Sequence, residues 1–245
     1  MQHPRASLST GFSVGTVAII PAAGAGRRMG LSTAKQFLTV DGEPILARTL
    51  RIFENSPIID AIVLVVPEAA IRAVREMAGA VGAKKVAKIV PGGPRRQDSV
   101  QRGLEAADRV HDLVVIHDGV RPFLAQGLLA DVVAVGDGCG AATLGIPVKD
   151  TVKEADGDGW IVRTLDRSRL WMTQTPQVFR RALLERAFAA AMEEGFTGTD
   201  DAVLLERIGV PVRMVPGSAD NIKITTPEDL RFAEAFLQRR EERQG

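Results

Sequence analysis

A glycine-rich loop with two arginines, and a lysine shortly after it, follow the first apolar run of the chain. The loop spans residues 21–30 (PAAGAGRRMG), and Lys35 lies just beyond it. Small residues let backbone N–H groups approach phosphates closely, and Arg27, Arg28 and Lys35 together suit the charge of a triphosphate. The spacing is not that of a P-loop, and Met29 stands where a dinucleotide fingerprint has its third glycine. The loop therefore predicts a triphosphate site.

Further charged side chains follow the other predicted strands. Gly92-Gly93-Pro94-Arg95-Arg96 and then Ser99 follow the third strand, residues 117–122 (HDGVRP) follow the fourth, and Lys149 follows the fifth. Ligands of open α/β sheets bind outside the carboxyl ends of the strands, so these cations are expected on one rim. The pattern favours an anionic ligand with several phosphates.

Asp118 is a carboxylate among these cations. A carboxylate beside a phosphate site is out of place unless a cation lies between them, so Asp118 predicts a Mg²⁺ ion, with a helix-capping aspartate as the alternative. We interpret His117 as a packed or hydrogen-bonded residue at a strand end and not as a base. A missing base suits an acceptor that is itself a phosphate monoester, because its second pKa of about 6 leaves it largely dianionic at neutral pH.

Alternating strands and helices must position these residues. Apolar runs predict strands over 16–20, 61–66, 86–90, 113–116, 141–146 and 211–215, with a short one around 222–224. Helical spacing predicts helices over 44–54, 68–78, 97–107, 124–135, 180–192 and 200–208, and a last helix that begins with Thr226 as N-cap and Pro227. This alternation predicts an α/β fold with a doubly wound, mostly parallel, Rossmann-like sheet.

Residues 147–170 interrupt this alternation and are called the arm below. Two short runs around the Gly/Asp turn at 156–159 predict a β-hairpin that protrudes from a single domain over 16–245, and residues 1–15 are expected to be a disordered extension. Trp160, Ile161 and Val162 have no obvious core of their own. We therefore predict that the arm packs against a second subunit in a two-fold dimer, with folding back onto its own domain as the alternative.

Composition excludes several classes of protein. The chain has 245 residues with 31 Lys+Arg against 30 Asp+Glu, and a net charge of +1 argues against a nucleic-acid-coating surface. No apolar run approaches the ~20 residues of a membrane helix. The single cysteine, Cys139, allows no internal disulfide and is expected to be a small buried hydrophobic residue. It indicates a reducing compartment, and we predict that this compartment is the cytoplasm.

Short motifs that appear in order along the chain carry a resemblance to a known family. They are 21–29, Lys35-Gln36, 92–100, 117–122, Asp150-Thr151, Asp166-Arg167, Thr175-Pro176-Gln177 and 219–225. Together they resemble the 2-C-methyl-D-erythritol 4-phosphate cytidylyltransferases of the non-mevalonate isoprenoid pathway, over about residues 17–237. The resemblance implies that CTP and methylerythritol phosphate give the CDP-alcohol and diphosphate by direct in-line attack, with Mg²⁺ or another divalent cation.

The same resemblance implies a role for each matched residue. Arg28 and Lys35 would stabilise the transition state at the α-phosphorus, while Arg167 and Lys223 would position the substrate phosphate for attack. The nucleotide would be held by Ala22, Ala23, Gly24, Gly26, Gly93 and Ser99. The second substrate would be held by Asp118, Gly119, Arg121, Thr151, Arg167, Thr175 and Lys223, and Asp118 would also bind the metal. Arg167 would reach from the arm into the partner subunit's site. The chain departs from the family pattern at Ala34 and Pro94.

Three alternative functions stay open at this point. Ribitol-5-phosphate cytidylyltransferases have similar loops, and sequence separates them poorly from this chain. A Rossmann dehydrogenase is disfavoured by Met29 and by the lack of an acid at the tip of the second strand, where Pro67 precedes Glu68. A nucleotide-binding regulator without turnover is disfavoured because Arg28, Lys35 and Asp118 occur together.

Overall fold

The computed structural model describes residues 15–24 and 38–242. The predicted N-terminal extension, except Gly15, lies outside the described residues. So do most of the glycine-rich loop, including Gly26 and Arg28, and the residues just beyond it, including Ala34 and Lys35.

The fold is built on a central seven-stranded sheet with two small hairpins. In chain order the strands are β1 (Gly15–Pro21), β2 (Thr39–Val40), β3 (Glu43–Pro44), β4 (Ala61–Val66), β5 (Val86–Pro91), β6 (His111–Ile116), β7 (Ala141–Pro147), β8 (Lys153–Ala155), β9 (Ile161–Thr164), β10 (Trp171–Arg180) and β11 (Arg213–Pro216). The order in the large sheet is β11-β7-β10-β6-β1-β4-β5. Every neighbouring pair is parallel except those of β10, which runs antiparallel to both β6 and β7.

Helices cover both faces of the sheet. They are α1 (Ile45–Glu54), α2 (Ile71–Ala80), α3 (Arg96–Ala106), α4 (Gln126–Cys139), α5 (Arg181–Glu193), α6 (Ala202–Arg207) and α7 (Pro227–Glu242). The side chains of β1 show why two layers form, because successive residues of a strand point to opposite faces. Ala18 and Ile20 pack with α1, α2 and α4, whereas Val17 and Ile19 pack with α3, α5 and α6. The predicted doubly wound, mostly parallel sheet is confirmed.

Strand β10 was not predicted from the sequence. Its polar middle, residues 173–177, includes Pro176, and a proline inside a run argues against a central strand. The sheet tolerates it because the pairing with β7 is interrupted between Thr173 and Gln177. The predicted strand around 222–224 is wrong. The Ile224 N–H donates to the carbonyl of Val120 at 2.9 Å, and this one hydrogen bond stands in place of the strand pairing that was predicted.

The arm forms the predicted β-hairpin from β8 and β9. Its tip exposes apolar side chains: Trp160 is 76% exposed, Ile161 64% and Val162 61%. The buried clusters among the described residues contain none of these three side chains. Against the described residues, the tip of the arm is therefore not packed onto its own domain.

Two predictions about the ends of helices have different outcomes. The predicted cap of α7 is confirmed, because the Asp229 N–H donates to Thr226 Oγ1 at 3.3 Å and the Thr226 N–H donates to Asp229 Oδ2 at 2.9 Å. The prediction that Cys139 is buried is wrong. Cys139 is the last residue of α4 and is exposed, since the chain turns there through Gly140 at φ 89°.

Within the described residues, no helix is long and apolar enough to cross a membrane.

Candidate active site

Loops at the carboxyl ends of β1, β4, β5 and β6 meet at one edge of the sheet. The Ala22 N–H donates to the Val65 carbonyl at 2.7 Å, and the Gly119 N–H donates to the Pro21 carbonyl at 3.1 Å. Gly119 is required by this close approach, because a Cβ there would lie 2.9 Å from the Cβ of Ala22. The expected rim of strand ends is present, and it brings residues of the first and fourth strand-end loops into contact.

The residues assigned to the nucleotide lie together where they are described. A side chain at Gly92 would collide with Ala23, so the loops after β1 and β5 touch. The Gly93 N–H donates to Ser99 Oγ at 3.1 Å, and the Ser99 hydroxyl donates to the Arg95 carbonyl at 3.1 Å. Gly24 is exposed at the end of the described part of the loop. The assignments to Gly26, Arg28 and Lys35 fall outside the described residues.

A polar cavity of about 270 Å³ opens beside this edge. It is lined by Arg96, Asp118, Arg121, Thr173, Gln174, Thr175, Gln177, Thr199, Asp200 and Lys223. Four residues predicted for the second substrate, Asp118, Arg121, Thr175 and Lys223, therefore share one cavity, although Lys223 is more than 100 residues from Asp118 in the chain.

Asp118 is the centre of an ion cluster, named here the cavity cluster, which it forms with Arg96, Arg121 and Lys223. Its Oδ1 lies 3.0 Å from Arg96 Nε, and its Oδ2 lies 2.7 Å from Lys223 Nζ and 3.7 Å from Arg121 Nε. Burial alone would raise the pKa of the Asp118 carboxyl, but Arg96 and then Lys223 outweigh it and hold that pKa well below its usual range. Among the residues that line the cavity, the three cations of the cavity cluster face the carboxylates of Asp118 and Asp200, so the lining has a formal charge of +1, which favours an anion such as a phosphate.

Arg96 extends the cavity cluster to a second carboxylate that sequence reasoning missed. Its Nη2 lies 2.8 Å from Oδ2 of Asp201, which is 1% exposed. Burial raises the pKa of the Asp201 carboxyl, and Arg96 opposes this rise. Burial would lower the pKa of Arg96, but Asp201 and then Asp118 raise it. Arg96 was visible in the sequence as one cation of the loop after β5, whereas nothing in the sequence pairs it with Asp201.

His117 is hydrogen-bonded on both ring nitrogens, as its interpretation as a strand-end residue requires. Its Nε2 lies 3.1 Å from the Arg121 carbonyl oxygen, and its Nδ1 lies 3.2 Å from Thr175 Oγ1. The ring also packs against Phe53, with 5.0 Å between centroids. Burial lowers the pKa of His117 to about 4, so the ring is neutral at neutral pH.

The carboxylate of Asp118 does not form a ready metal site. Both of its oxygens are already paired with the side-chain cations Arg96 and Lys223. Across residues 15–24 and 38–242, no group of three or more His, Cys, Asp and Glu side chains is placed to hold a metal ion. A metal bound at Asp118 would have to displace one of these cations.

Thr151 and Arg167 lie on the arm, away from the other predicted substrate residues. Both are exposed, and neither is among the described residues that line the cavity. The Arg167 guanidinium donates from Nη1 to the carbonyl of Lys149 at 2.6 Å, so it stays within the arm. The structure therefore does not bring these two residues to the cavity of their own chain.

Comparison with known proteins identifies a family along nearly the whole chain. The family model described as "IspD: 2-C-methyl-D-erythritol 4-phosphate cytidylyltransferase" matches residues 16–239. A relative of that name from Syntrophus aciditrophicus is 48% identical over 228 residues, which are 93% of this chain and 97% of the relative.

Solved structures agree with this match. The 4-diphosphocytidyl-2C-methyl-D-erythritol synthase of Anaerococcus prevotii has a TM-score of 0.83 at 33% identity, covering 92% of this chain and 97% of that one. The 2-C-methyl-D-erythritol 4-phosphate cytidylyltransferase of Thermus thermophilus has a TM-score of 0.73 at 36% identity, covering 91% and 99%. The likeness therefore extends over fold and sequence together.

Proposed function

Because this chain belongs to the 2-C-methyl-D-erythritol 4-phosphate cytidylyltransferase family, we propose that its cavity cluster receives the phosphate of methylerythritol phosphate beside a CTP held by the glycine-rich loop. The chain is a nucleotidyltransferase, and its products are 4-CDP-2-C-methyl-D-erythritol and diphosphate. Ribitol-5-phosphate cytidylyltransferase, the main alternative, is not favoured, since the matched family model and relatives carry the methylerythritol name.

The observation that carries this proposal is the net positive cavity next to the nucleotide-side residues. An oxygen of the methylerythritol phosphate attacks the α-phosphorus of CTP, a new P–O bond forms, and the bond to the β-phosphate oxygen breaks to release diphosphate. The attacking phosphate is already anionic, so the reaction needs positioning and charge neutralisation and no general base. Lys223 and Arg121 supply that positive charge from the cavity.

Arg28 and Lys35, which the resemblance assigns to the transition state, are proposed to act on the phosphates of CTP. Arg28 and Lys35 would offset the charge that develops on the α- and β-phosphates. We expect Lys35→Ala to reduce kcat on the order of 10²-fold while CTP binding changes little, because a charge aimed at the transition state acts mainly on kcat. An unchanged kcat with a raised KM for CTP would assign Lys35 to ground-state binding.

A divalent cation is proposed to arrive with the triphosphate of CTP, where it would neutralise phosphate charge. Asp118 as the protein ligand of that ion stays a prediction, and the ion pairs of its carboxylate count against it. Titration of activity with Mg²⁺ in wild type and Asp118→Asn separates the two roles. A shifted Mg²⁺ midpoint would support the ligand, and an unshifted midpoint with lower activity would support the ion-pair role.

We further propose a homodimer in which the arm of one subunit supplies Thr151 and Arg167 to the cavity of the other. The support is the position of both residues on an arm with an exposed apolar tip, away from the cavity of their own chain. The proposed location is the cytoplasm, supported by the single cysteine, which leaves no internal disulfide to form.

One assay tests the proposed function. Purified protein is given CTP, Mg²⁺ and methylerythritol phosphate, and diphosphate release is measured, with ribitol 5-phosphate as the matched second substrate. We expect release with methylerythritol phosphate and little with ribitol 5-phosphate. Faster release with ribitol 5-phosphate would overturn the assignment of the substrate, and no release with either would overturn the activity.

A further inference from the structure

Asn221 is fully buried beside the cavity and has no role in the reaction described above. Its side-chain Nδ2 donates to the Thr175 carbonyl at 2.8 Å and to Gln174 Oε1 at 3.3 Å. Its backbone carbonyl accepts a hydrogen bond from Arg121 Nη1 at 2.7 Å. Asn221 therefore joins three residues of the cavity lining, and Lys223 follows it two positions later in the chain.

Backbone carbonyls fix the orientation of two side-chain amides, those of Asn221 and Gln174, which are called the amide pair below. A carbonyl oxygen can only accept, so the atom of Asn221 that faces the Thr175 carbonyl must be the nitrogen. Gln174 Nε2 faces the Ser218 carbonyl at 2.8 Å for the same reason, which leaves Gln174 Oε1 for Asn221. The amide pair thus ties residues 174 and 175 of β10 to the loop at 218–221.

The sheet does not replace this connection. Thr175 lies where the pairing of β10 with β7 is interrupted, and the pairing of β10 with β6 begins only at Gln177. The Thr175 carbonyl therefore depends on the amide of Asn221 for its donor. Without that amide, a buried carbonyl would be left without this hydrogen bond, and the loop would lose its contact with β10.

Lys223 lies between two points at which the backbone is held. Before it, the amide pair holds Asn221. After it, the buried Ile224 donates its N–H to the Val120 carbonyl at 2.9 Å. The ammonium group of a lysine sits on a long, flexible stem, so the position of Nζ depends on where the backbone is held. Nζ of Lys223 lies 2.7 Å from Asp118 Oδ2 in this arrangement.

We infer that Asn221 is a positioning residue that holds Lys223 and Arg121 at a fixed spacing, so that both cations bind the same phosphate. Its side chain holds the backbone that carries Lys223, and its own carbonyl holds the guanidinium of Arg121. Neither contact involves a residue that is assigned to the nucleotide. This inference rests on the proposed function for the identity of the second substrate, whereas the contacts of Asn221 do not depend on it.

Asn221→Ala removes the amide and keeps the backbone carbonyl. We expect the KM for methylerythritol phosphate to rise roughly tenfold, because a less fixed Lys223 contributes about one charge-assisted hydrogen bond less to the phosphate. The dissociation constant of CTP, measured by calorimetry without the second substrate, should change by less than about twofold. Partial unfolding alone would instead reduce the fraction of active enzyme and lower kcat at an unchanged KM.

Arg181→Lys is the matched control for a loss of buried hydrogen bonds. Arg181 is also buried, and it donates to three backbone carbonyls around the amino end of β6, away from the cavity. Arg181→Lys should lower the stability to urea and leave the constants for both substrates within about twofold. If Asn221→Ala does not fold, Gln174→Ala takes its place, because it removes the donor to the Ser218 carbonyl and keeps Asn221. We expect a rise of about threefold in the same KM from Gln174→Ala.

Amide hydrogen exchange tests the held backbone without any substrate. The Ile224 amide should exchange at least about tenfold faster in Asn221→Ala than in wild type, because the backbone around Lys223 opens more often. The Ala22 amide, which donates to the Val65 carbonyl, should keep its rate. An unchanged Ile224 rate or equal acceleration of both amides would overturn the inference, and so would an unchanged KM for methylerythritol phosphate. Failure of the proposed function would show instead as faster Ile224 exchange in the variant together with a wild type that does not turn over methylerythritol phosphate.

Discussion

The cavity cluster and the arm differ in whether their side chains find partners within their own chain. In the cavity cluster, Asp118 is 6% exposed and its carboxylate is paired with cations of the same chain. On the arm, Arg167 and the apolar residues at 160–162 are exposed to solvent. The comparison teaches that folding of one chain is sufficient to assemble the cavity cluster, whereas the role proposed for the arm depends on a second subunit.

Mixing variants of the two regions tests this contrast most strongly. We expect Lys223→Ala and Arg167→Ala each to reduce activity on the order of 10³-fold, because each removes a charge next to the reacting phosphates. After subunit exchange, one site of a mixed dimer carries both lesions and the other carries none. Random mixing makes about half of the dimers mixed, so activity should recover to roughly a quarter of wild type.

Arg169→Ala is the matched control, because Arg169 is an exposed cation two positions along the same arm. It should keep activity within about twofold, and an equal mixture with Lys223→Ala should show about half of the activity of wild type whether or not the subunits exchange. If mixing Lys223→Ala with Arg167→Ala recovers nothing, each arm serves its own chain. A chain that light scattering finds to be monomeric would remove the basis of the contrast.

Asp118→Asn tests whether the ion pairs within one chain stabilise the cavity cluster. Removing the carboxylate leaves Arg96, Arg121 and Lys223 close together without their counter-charge, and we expect the free energy of unfolding to fall by about 4 kcal/mol. Urea unfolding measures the loss, and inorganic phosphate should restore part of it by replacing the missing anion. Glu154→Gln, at the exposed ion pair of the arm with Arg163, should change stability by less than about 0.5 kcal/mol. Equal losses from the two substitutions would contradict the comparison.

The stability of the region around the cavity should also depend on pH through His117. Burial lowers the pKa of His117 from 6.5 to about 4. The unfolded chain therefore binds more protons than the folded chain between these pH values, and the free energy of unfolding falls as the pH drops through that window, by about 3 kcal/mol in total. Urea unfolding from pH 7 to 4 measures this slope, which should be smaller in His117→Asn. A wild-type slope no steeper than that of the variant would show that the buried ring is not the cause.

The smallest expected effect concerns the tip of the arm. Trp160→Ala should leave the stability of the single chain nearly unchanged, because the side chain is 76% exposed. It should weaken the proposed dimer by about 1 kcal/mol, which is a rise of about fivefold in the dissociation constant. Analytical ultracentrifugation over a dilution series measures this constant. A loss of single-chain stability without a change in dimerisation would place Trp160 against its own domain.

The sequence predicts the parts of this molecule in which local pattern and structure coincide. The apolar run at 61–66 predicts β4 with its observed bounds, and the Thr226 cap marks the start of α7. Strand β10 is hidden because polar residues and Pro176 interrupt it, although its neighbours in the sheet supply the pairing that its own pattern lacks.

Local sequence pattern is also insufficient to predict the whole candidate site. Motifs identify Asp118, Arg121, Thr175 and Lys223 one by one, and the structure brings them into one cavity. The bridge from Arg96 to Asp201 could not be predicted, because the two residues are more than 100 positions apart and neither has a local pattern that specifies its partner.

The place of β10 in the sheet has a consequence for synthesis on the ribosome. Strands β5, β4, β1 and β6 can pair once residue 116 has emerged, but both sheet neighbours of β7 come later in the chain. From the emergence of β7 to that of β10, translation takes roughly 2–7 s at typical rates. During that time the nascent chain presents an unpaired β7 edge together with the apolar tip of the arm. A pause in translation at the moment when residue 170 has emerged, and β10 has not, would therefore prolong the stage at which the nascent chain is most exposed to aggregation and to capture by chaperones.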